Sequence, residues 1–223
     1  MSCPRTVTIT CSEYNHPDFQ FVVDSAIPQV DVDVLVSFLE QSVQGGTRYE
    51  DGQIIEFGSM LFRLVTSDDS LTLQEPDLRT IPISWTDGIT NSMKLLRLQK
   101  DIGESVALED ELDFPSIRCS LLVGADLAEG LDTLVLERSE SDGLDSGWFV
   151  GRLDTEIDYN DPANLRRISV YQAILDAPHI AGFLALPTGC RVEISRQSTT
   201  LSYKGQPLKI QKGSFMDITR SEQ

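Results

Sequence analysis

Residues 84–123, SWTDGITNSMKLLRLQKDIGESVALEDELDFPSIRCSLLV, fix how the chain divides into layers. Ile89, Met93 and Leu96, with Leu95, Leu98 and Ile102, recur at helical spacing and predict a helix from about Thr86 to Ile102 that stops at Gly103. Ser84-Trp85-Thr86-Asp87 at its start fits the capping-box spacing, an acid three residues after a serine. The composition then changes. Glu104 to Asp113 is acid-rich, Pro115 breaks the pattern, and Ile117 to Val123 begins a fresh strand. A helix, a polar break and a new strand are what one α+β unit ending and another beginning would produce. The expected fold class is therefore α+β, with two small domains, 1–112 and 113–223. Each is expected to be a mostly antiparallel sheet with one or two packed helices.

On the upstream side, Val7 to Thr10 and Phe19 to Val23 are rich in β-branched and aromatic residues and predict strands. Val34, Leu35, Phe38, Leu39 and Val43 share a helical face, with Asp31 or Asp33 near its cap and Gly45-Gly46 as its stop. Asp51-Gly52 is a hairpin-type turn signal, and Gln53–Phe57, Ser59–Val65 and Ser70–Leu73 follow as a meander. Downstream, strands are expected at Leu134–Glu137 and around Trp148–Gly151. A helix is expected from about Leu165 to Leu175, a turn at Pro178–Leu184, and strands at Arg191–Ile194, Thr200–Tyr203 and Leu208–Ile210.

Charge is the strongest compositional signal. The net formal charge is −17, and it is unevenly spread: −7 over residues 1–100, −14 over 101–161 and +4 over 162–223. Such a field repels nucleic acid, whose binding needs Lys and Arg on phosphates, and draws in a cationic protein. A face kept acidic only for solubility would look the same in composition. The amino terminus, MSCPRTVTITCSEYNHP, lacks a signal-peptide core, and no apolar run approaches 18 residues, so a cytoplasmic location is expected. Cys3, Cys11, Cys119 and Cys190 are scattered and expected to be reduced thiols.

Catalytic signatures are missing. The two histidines, His16 and His179, have no nucleophile at a recognisable spacing and are expected to be structural. No nucleophile elbow, zinc helix, Walker loop or dinucleotide fingerprint occurs, and no Cys-x-x-Cys pair marks a zinc site. The alternating acids Asp154, Glu156, Asp158 and Asp161 invite a calcium test. They fail the EF-type pattern, because Tyr159 stands where that loop needs glycine and Leu165 where it needs a bidentate glutamate. No catalytic residue, metal or cofactor is therefore expected. The same acids make a candidate partner-binding surface, extended by Asp142 and Asp145 and anchored by the aromatics Trp148 and Tyr159. Trp148 on its strand could equally belong to the core, whereas Tyr159, beside Asn160-Asp161-Pro162, is expected to be exposed.

Several elements recur in a familiar order: Asp145-Ser-Gly147-Trp148-Phe-Val-Gly151, Tyr159-Asn160-Asp161-Pro162-Ala-Asn164-Leu165, Ser169-Val-Tyr171 and Leu184-Ala-Leu186-Pro187-Thr-Gly189. Over about residues 117–195 this set resembles the Imm33-type (DUF2185-like) domain of bacterial immunity proteins. It departs from the family's pattern in that Phe149-Val150 leads directly to Gly151 and the acidic loop is short. Glycines at 147 and 151 also have a plain physical use beside Trp148, and Asp161-Pro162 with Asn164 resembles a turn that caps a helix. The resemblance implies an immunity protein that neutralises a cognate toxin acting in the cytosol. A nuclease fits an acidic inhibitor best, because its substrate surface must be basic; a restriction-endonuclease-like DNase, delivered by type VI secretion, is the specific expectation. An adaptor or chaperone for effector loading is the alternative from another class, and a carboxylate-dependent hydrolase a third.

Overall fold

The computed structural model describes residues 3–221. The chain forms two compact units, Met1–Arg97 and Leu98–Gln223. Each is built around its own sheet, so the α+β class with antiparallel-rich sheets holds.

In the first unit, β1 (Pro4–Ile9) and β2 (Asp18–Asp24) pair antiparallel and lead into helix α1 (Gln29–Gln44). The strands β3 (Ile54–Phe57), β4 (Met60–Ser67) and β5 (Ser70–Pro76) follow as a meander with two-residue turns at Gly58-Ser59 and Asp68-Asp69. The order is β1-β2-β5-β4-β3, with the short β6 (Trp85–Asp87) on β5; only β2 and β5 run parallel. Alternation decides the buried face: Phe19, Phe21 and Val23 of β2 are fully buried, as are Phe62 and Leu64 of β4 and Leu73 of β5. The Asp51-Gly52 signal does not join two strands. It precedes β3, where the Asp51 carboxylate accepts from Thr66 N–H at 2.6 Å.

Both helix starts differ from the local capping signals. The residue at the head of α1 is Pro28, with no side-chain cap, and Asp31 is buried, pairing with Arg97 at 3.8 Å. Helix α2 spans Thr90–Ser105, and Trp85–Asp87 before it is strand. Its first turn is capped from a distance: the Glu75 carboxylate on β5, 2% exposed, accepts from the N–H groups of Asn91 at 3.1 Å and Ser92 at 2.6 Å. A strand carboxylate can reach the orphan donor of Ser92, which is buried, where an exposed serine could not.

The second unit has the strands β7 (Ser120–Gly124), β8 (Leu134–Arg138), β9 (Asp145–Arg152) and β10 (Leu165–Ser169), then helix α3 (Val170–Asp176). Strands β11 (Cys190–Ile194), β12 (Thr199–Tyr203) and β13 (Gln206–Pro207) follow, and helix α4 (Phe215–Ser221) comes last. Their order is β10-β7-β9-β8-β11-β12-β13, with β7 and β9 parallel. The helix expected from Leu165 divides. Residues 165–169 pair with β7, and the helix begins only after Ser169, whose hydroxyl accepts from Gln172 N–H at 3.0 Å. The strand expected at Leu208–Ile210 is displaced to Gln206–Pro207, and α4 had no apolar row long enough to announce it.

Candidate partner-binding surface

Strand β9 positions the candidate residues, and it separates them. Asp142, in the β8–β9 loop, and Asp145, at the start of β9, lie at one end of the second sheet. Asp154, Glu156, Asp158, Tyr159 and Asp161 lie beyond the other end, past Arg152. Seven residue steps of β-strand separate Asp145 from Arg152, about 23 Å. Asp142 and Asp145 thus stand at the opposite end of β9 from the other acids.

Trp148, between them, is 1% exposed, and its indole N–H donates to the Leu184 carbonyl at 2.9 Å. This removes it from the candidate surface. Around it runs a buried network that has no local sequence signal. Arg138 on β8, 5% exposed, stands 5.8 Å from the Trp148 ring and donates to the carbonyls of Ser146, Leu186 and Asp113 at 3.1, 2.7 and 2.9 Å, and to the Asp113 carboxylate at 2.7 Å. Gly147 has φ +75°, and a Cβ there would collide with the Ser139 carbonyl oxygen. The Gly-Trp and Leu-Ala-Leu-Pro elements hold one another: Trp148 and Arg138 each reach a carbonyl of the same segment, at Leu184 and Leu186. They are scaffold.

The 154–161 loop folds onto the end of β7 and β9. Tyr159 is half-buried where exposure was expected. Its ring takes space left by two glycines: a Cβ at Gly124 would fall 2.6 Å from Tyr159 Cε1, and one at Gly151 would fall 2.7 Å from Tyr159 Cε2. Phe149 meets the ring edge-on at 5.2 Å between centroids. The phenol donates to Asp126 Oδ1 at 2.7 Å and accepts from Arg152 N–H at 2.9 Å. Burial and the bond to Asp126 push its pKa up. Burial alone would push the Asp126 carboxyl up too, but hydrogen bonds from Thr155 and Tyr159 outweigh it and hold that carboxyl below the ordinary range.

Most of the loop's acids are engaged in building it. Asp158 accepts from the backbone N–H and side-chain amide of Asn160 at 2.9 and 2.8 Å, which lowers its pKa. Asp161 accepts from Ala163 N–H at 2.9 Å and heads a 3₁₀ turn, Pro162–Asn164, which leads into β10; the expected long helix does not follow it. Asp154 takes hydrogen bonds from Thr133 and from Arg152, the latter at 3.1 Å, and its carboxyl is lowered accordingly. Glu156 is exposed and has no side-chain partner among the described residues. These turns supply the reason for alternating carboxylates: short acids bond the N–H two residues on, and no cation is required to bring them together.

The loop does not act alone. Leu134 pairs with Arg152 and Leu165 with Gly124, which brings the β7–β8 connection to the same end of the sheet. That connection contributes two acids absent from the sequence reading, Glu129, 3.3 Å from Arg152, and Asp132, which pairs with Arg196. Seven carboxylates, counting Asp126, thus share this end with Arg152, Arg166 and Arg196. Proximity along the sequence pointed to Asp142 and Asp145, whereas strand pairing selects Glu129 and Asp132. At the opposite end, Asp145 is bound by Arg167 at 2.6 Å, which holds its carboxyl low, while Asp142 is exposed.

Among the described residues no helix is long and apolar enough to cross a membrane. Comparison with curated proteins and with solved structures gave no match. The family model of the Imm33-like domain matches residues 98–203, which contain both the Trp148–Arg138 scaffold and the acidic end of the sheet. Over these residues the C-terminal half of the chain is similar to an Imm33-like domain.

Proposed function

We propose that this protein is an immunity protein that works in the cytoplasm and binds and neutralises a cognate toxin through the acidic end of its second sheet. The observation that carries this reading is the Imm33-like match over residues 98–203, the stretch that contains that end. A partner with a basic surface fits the charge. A nuclease must present Lys and Arg to phosphates, and an array of carboxylates can occupy the same groups. Within that class the reading is a restriction-endonuclease-like DNase delivered by type VI secretion. The protein acts by binding, without cofactor or metal: Asp154, Asp158 and Asp161, which a hydrolase would keep free for proton transfer, serve as hydrogen-bond acceptors inside the loop.

The reading is tested by co-expressing the chain with the toxin encoded beside it. Growth should be rescued, and the purified pair should form a stable one-to-one complex that cleaves no DNA. A toxin that binds the chain yet stays lethal would make the chain an adaptor, and no complex at all would end the immunity reading.

A further inference from the structure

Strand pairing lays one row of side chains across the outward face of the second sheet. Leu122 of β7 stands opposite Phe149 of β9, Phe149 opposite Glu137 of β8, and Glu137 opposite Arg191 of β11. Directly opposed residues share a face, and neighbouring strands lie about 5 Å apart, so the row is about 14 Å long. None of the four is buried, whereas Trp148, Val150 and Leu136, which alternate with them on the core face, are at most 1% exposed. The solvated face of a sheet ordinarily carries polar side chains, yet two neighbouring inner strands here set a leucine beside a phenylalanine. The Phe149 ring leans along β9 over Gly151, where a Cβ would fall 2.6 Å from its Cζ, and meets the Tyr159 ring edge-on. Tyr159 is the base of the 154–161 loop, so this apolar patch is continuous with the acidic end of the sheet.

Charge selects the occupant. Glu137 and Glu193 both pair with Arg191, so two carboxylates share one guanidinium and the rim keeps a net negative charge. Glu193 stands opposite Val135, which stands opposite Gly151, so this rim lies on the same face, one residue along β9 from Arg152 and the acidic loop. A second copy of the chain would bring the same rim and another −17 against it. A basic partner meets rim and loop alike with opposite charge. Aromatic centres inside charged rims are where protein interfaces concentrate their binding energy. We propose that Leu122 and Phe149 are the apolar anchor of the toxin interface: an apolar side chain of the toxin seats against them, and its Lys or Arg lies beside Glu137 and Glu193. This assignment rests on the immunity reading and adds to it the contact that slows dissociation, since exposed loop acids act mainly on encounter.

The test follows association and dissociation of the full chain with the toxin encoded beside it, by interferometry. Phe149→Ala should speed dissociation about tenfold or more and leave association within about twofold, at low and high salt alike. Leu122→Glu should also speed dissociation about tenfold. The sign separates the causes here: that substitution makes the chain more acidic, so a purely electrostatic attraction to a basic toxin would strengthen. Leu122 is only half-buried, so its replacement leaves the fold intact and decides the matter if Phe149→Ala lowers the melting temperature. Wild-type dissociation rates in both variants would overturn the anchor, while the complex itself upheld the immunity reading. Failure of the wild-type chain to bind the toxin would end both. Sedimentation of the free chain as a dimer that Leu122→Glu dissociates would also overturn the anchor, because the face would then belong to a second copy.

Discussion

At the scale of single residues, two carboxylates are shifted in opposite directions by their surroundings. Burial pushes Glu75 up against the two backbone N–H groups that favour its charge, while the Arg167 guanidinium holds Asp145 down. A raised carboxyl costs the folded state nothing below its ordinary value of 4.5, and the cost appears as pH rises through the folded value. The stability of wild type relative to Glu75→Gln should therefore fall as pH rises above about 4.5. A depressed carboxyl behaves oppositely: its contribution is present above 3.8 and is lost as pH falls through the lower folded value. Wild type relative to Asp145→Asn should therefore lose stability only in acid. Urea unfolding of the three proteins across pH 3 to 8 reads both slopes, and slopes of the same sign would refute the assignment. The thiols give a second check. Cys3 is exposed, whereas Cys11, Cys119 and Cys190 are buried, and burial pushes Cys190 up to about 11. A thiol reagent should modify one cysteine rapidly in the native protein and all four only after unfolding. His16 is likewise structural: its Nδ1 lies 2.7 Å from the Pro17 carbonyl, and its Nε2 accepts from Tyr49 N–H at 3.0 Å.

At the scale of elements, β9 does the most. It carries Gly147 and Trp148 into the core at one end and places Arg152 under the acidic loop at the other. Arg138→Met should cost about 3 kcal/mol or more, because the buried carbonyls of Ser146 and Leu186, with the carbonyl and carboxylate of Asp113, lose their donor together. Gly147→Ala should cost at least about 2 kcal/mol, since its backbone must leave the left-handed region or push Ser139 away. Tyr159→Phe should cost only about 1 kcal/mol, the worth of the phenol's bonds to Asp126 and Arg152 once solvent is counted. Denaturant midpoints order the three, and a Tyr159→Phe loss as large as that of Arg138→Met would show that the loop belongs to the core. These elements also show what a sequence can and cannot reveal. Strands such as Phe19–Val23 were legible because alternation is local, and α1 because apolar residues recur at helical spacing, although Val34 and Phe38 of the row read from the sequence are exposed and Val32 joins Leu35, Leu39 and Val43 inside. Residues 165–169 were not: Leu165 and Ile168 suit a helix equally, and only the edge of β7 makes them strand. Nor could spacing reveal that the cap of α2 lies on β5, or that Arg138 and Leu186, 48 residues apart, touch.

At the scale of the whole molecule, the charge of −17 resolves into acids at the two ends of one sheet, the acids of helix α1 in the first unit, and a basic tail. Net charge alone would speed encounter with any cationic protein, so a useful experiment holds it fixed and moves the position. Asp132→Lys with Glu156→Lys alters the end built from the β7–β8 connection and the 154–161 loop. Glu140→Lys with Asp142→Lys alters the opposite end by the same amount. The four side chains are solvent-exposed or in surface ion pairs, so neither double variant should change stability by more than about 1 kcal/mol. If the acidic loop meets a basic toxin surface, the first pair should slow association roughly tenfold at low ionic strength, with the deficit shrinking as salt screens it. The second pair should leave the rate within about twofold, the share owed to net charge alone. Stopped-flow association with the cognate toxin separates the outcomes. Equal slowing by both pairs would mean that the acids act as a diffuse field, and slowing only by the second would move the interface to the Asp142 end.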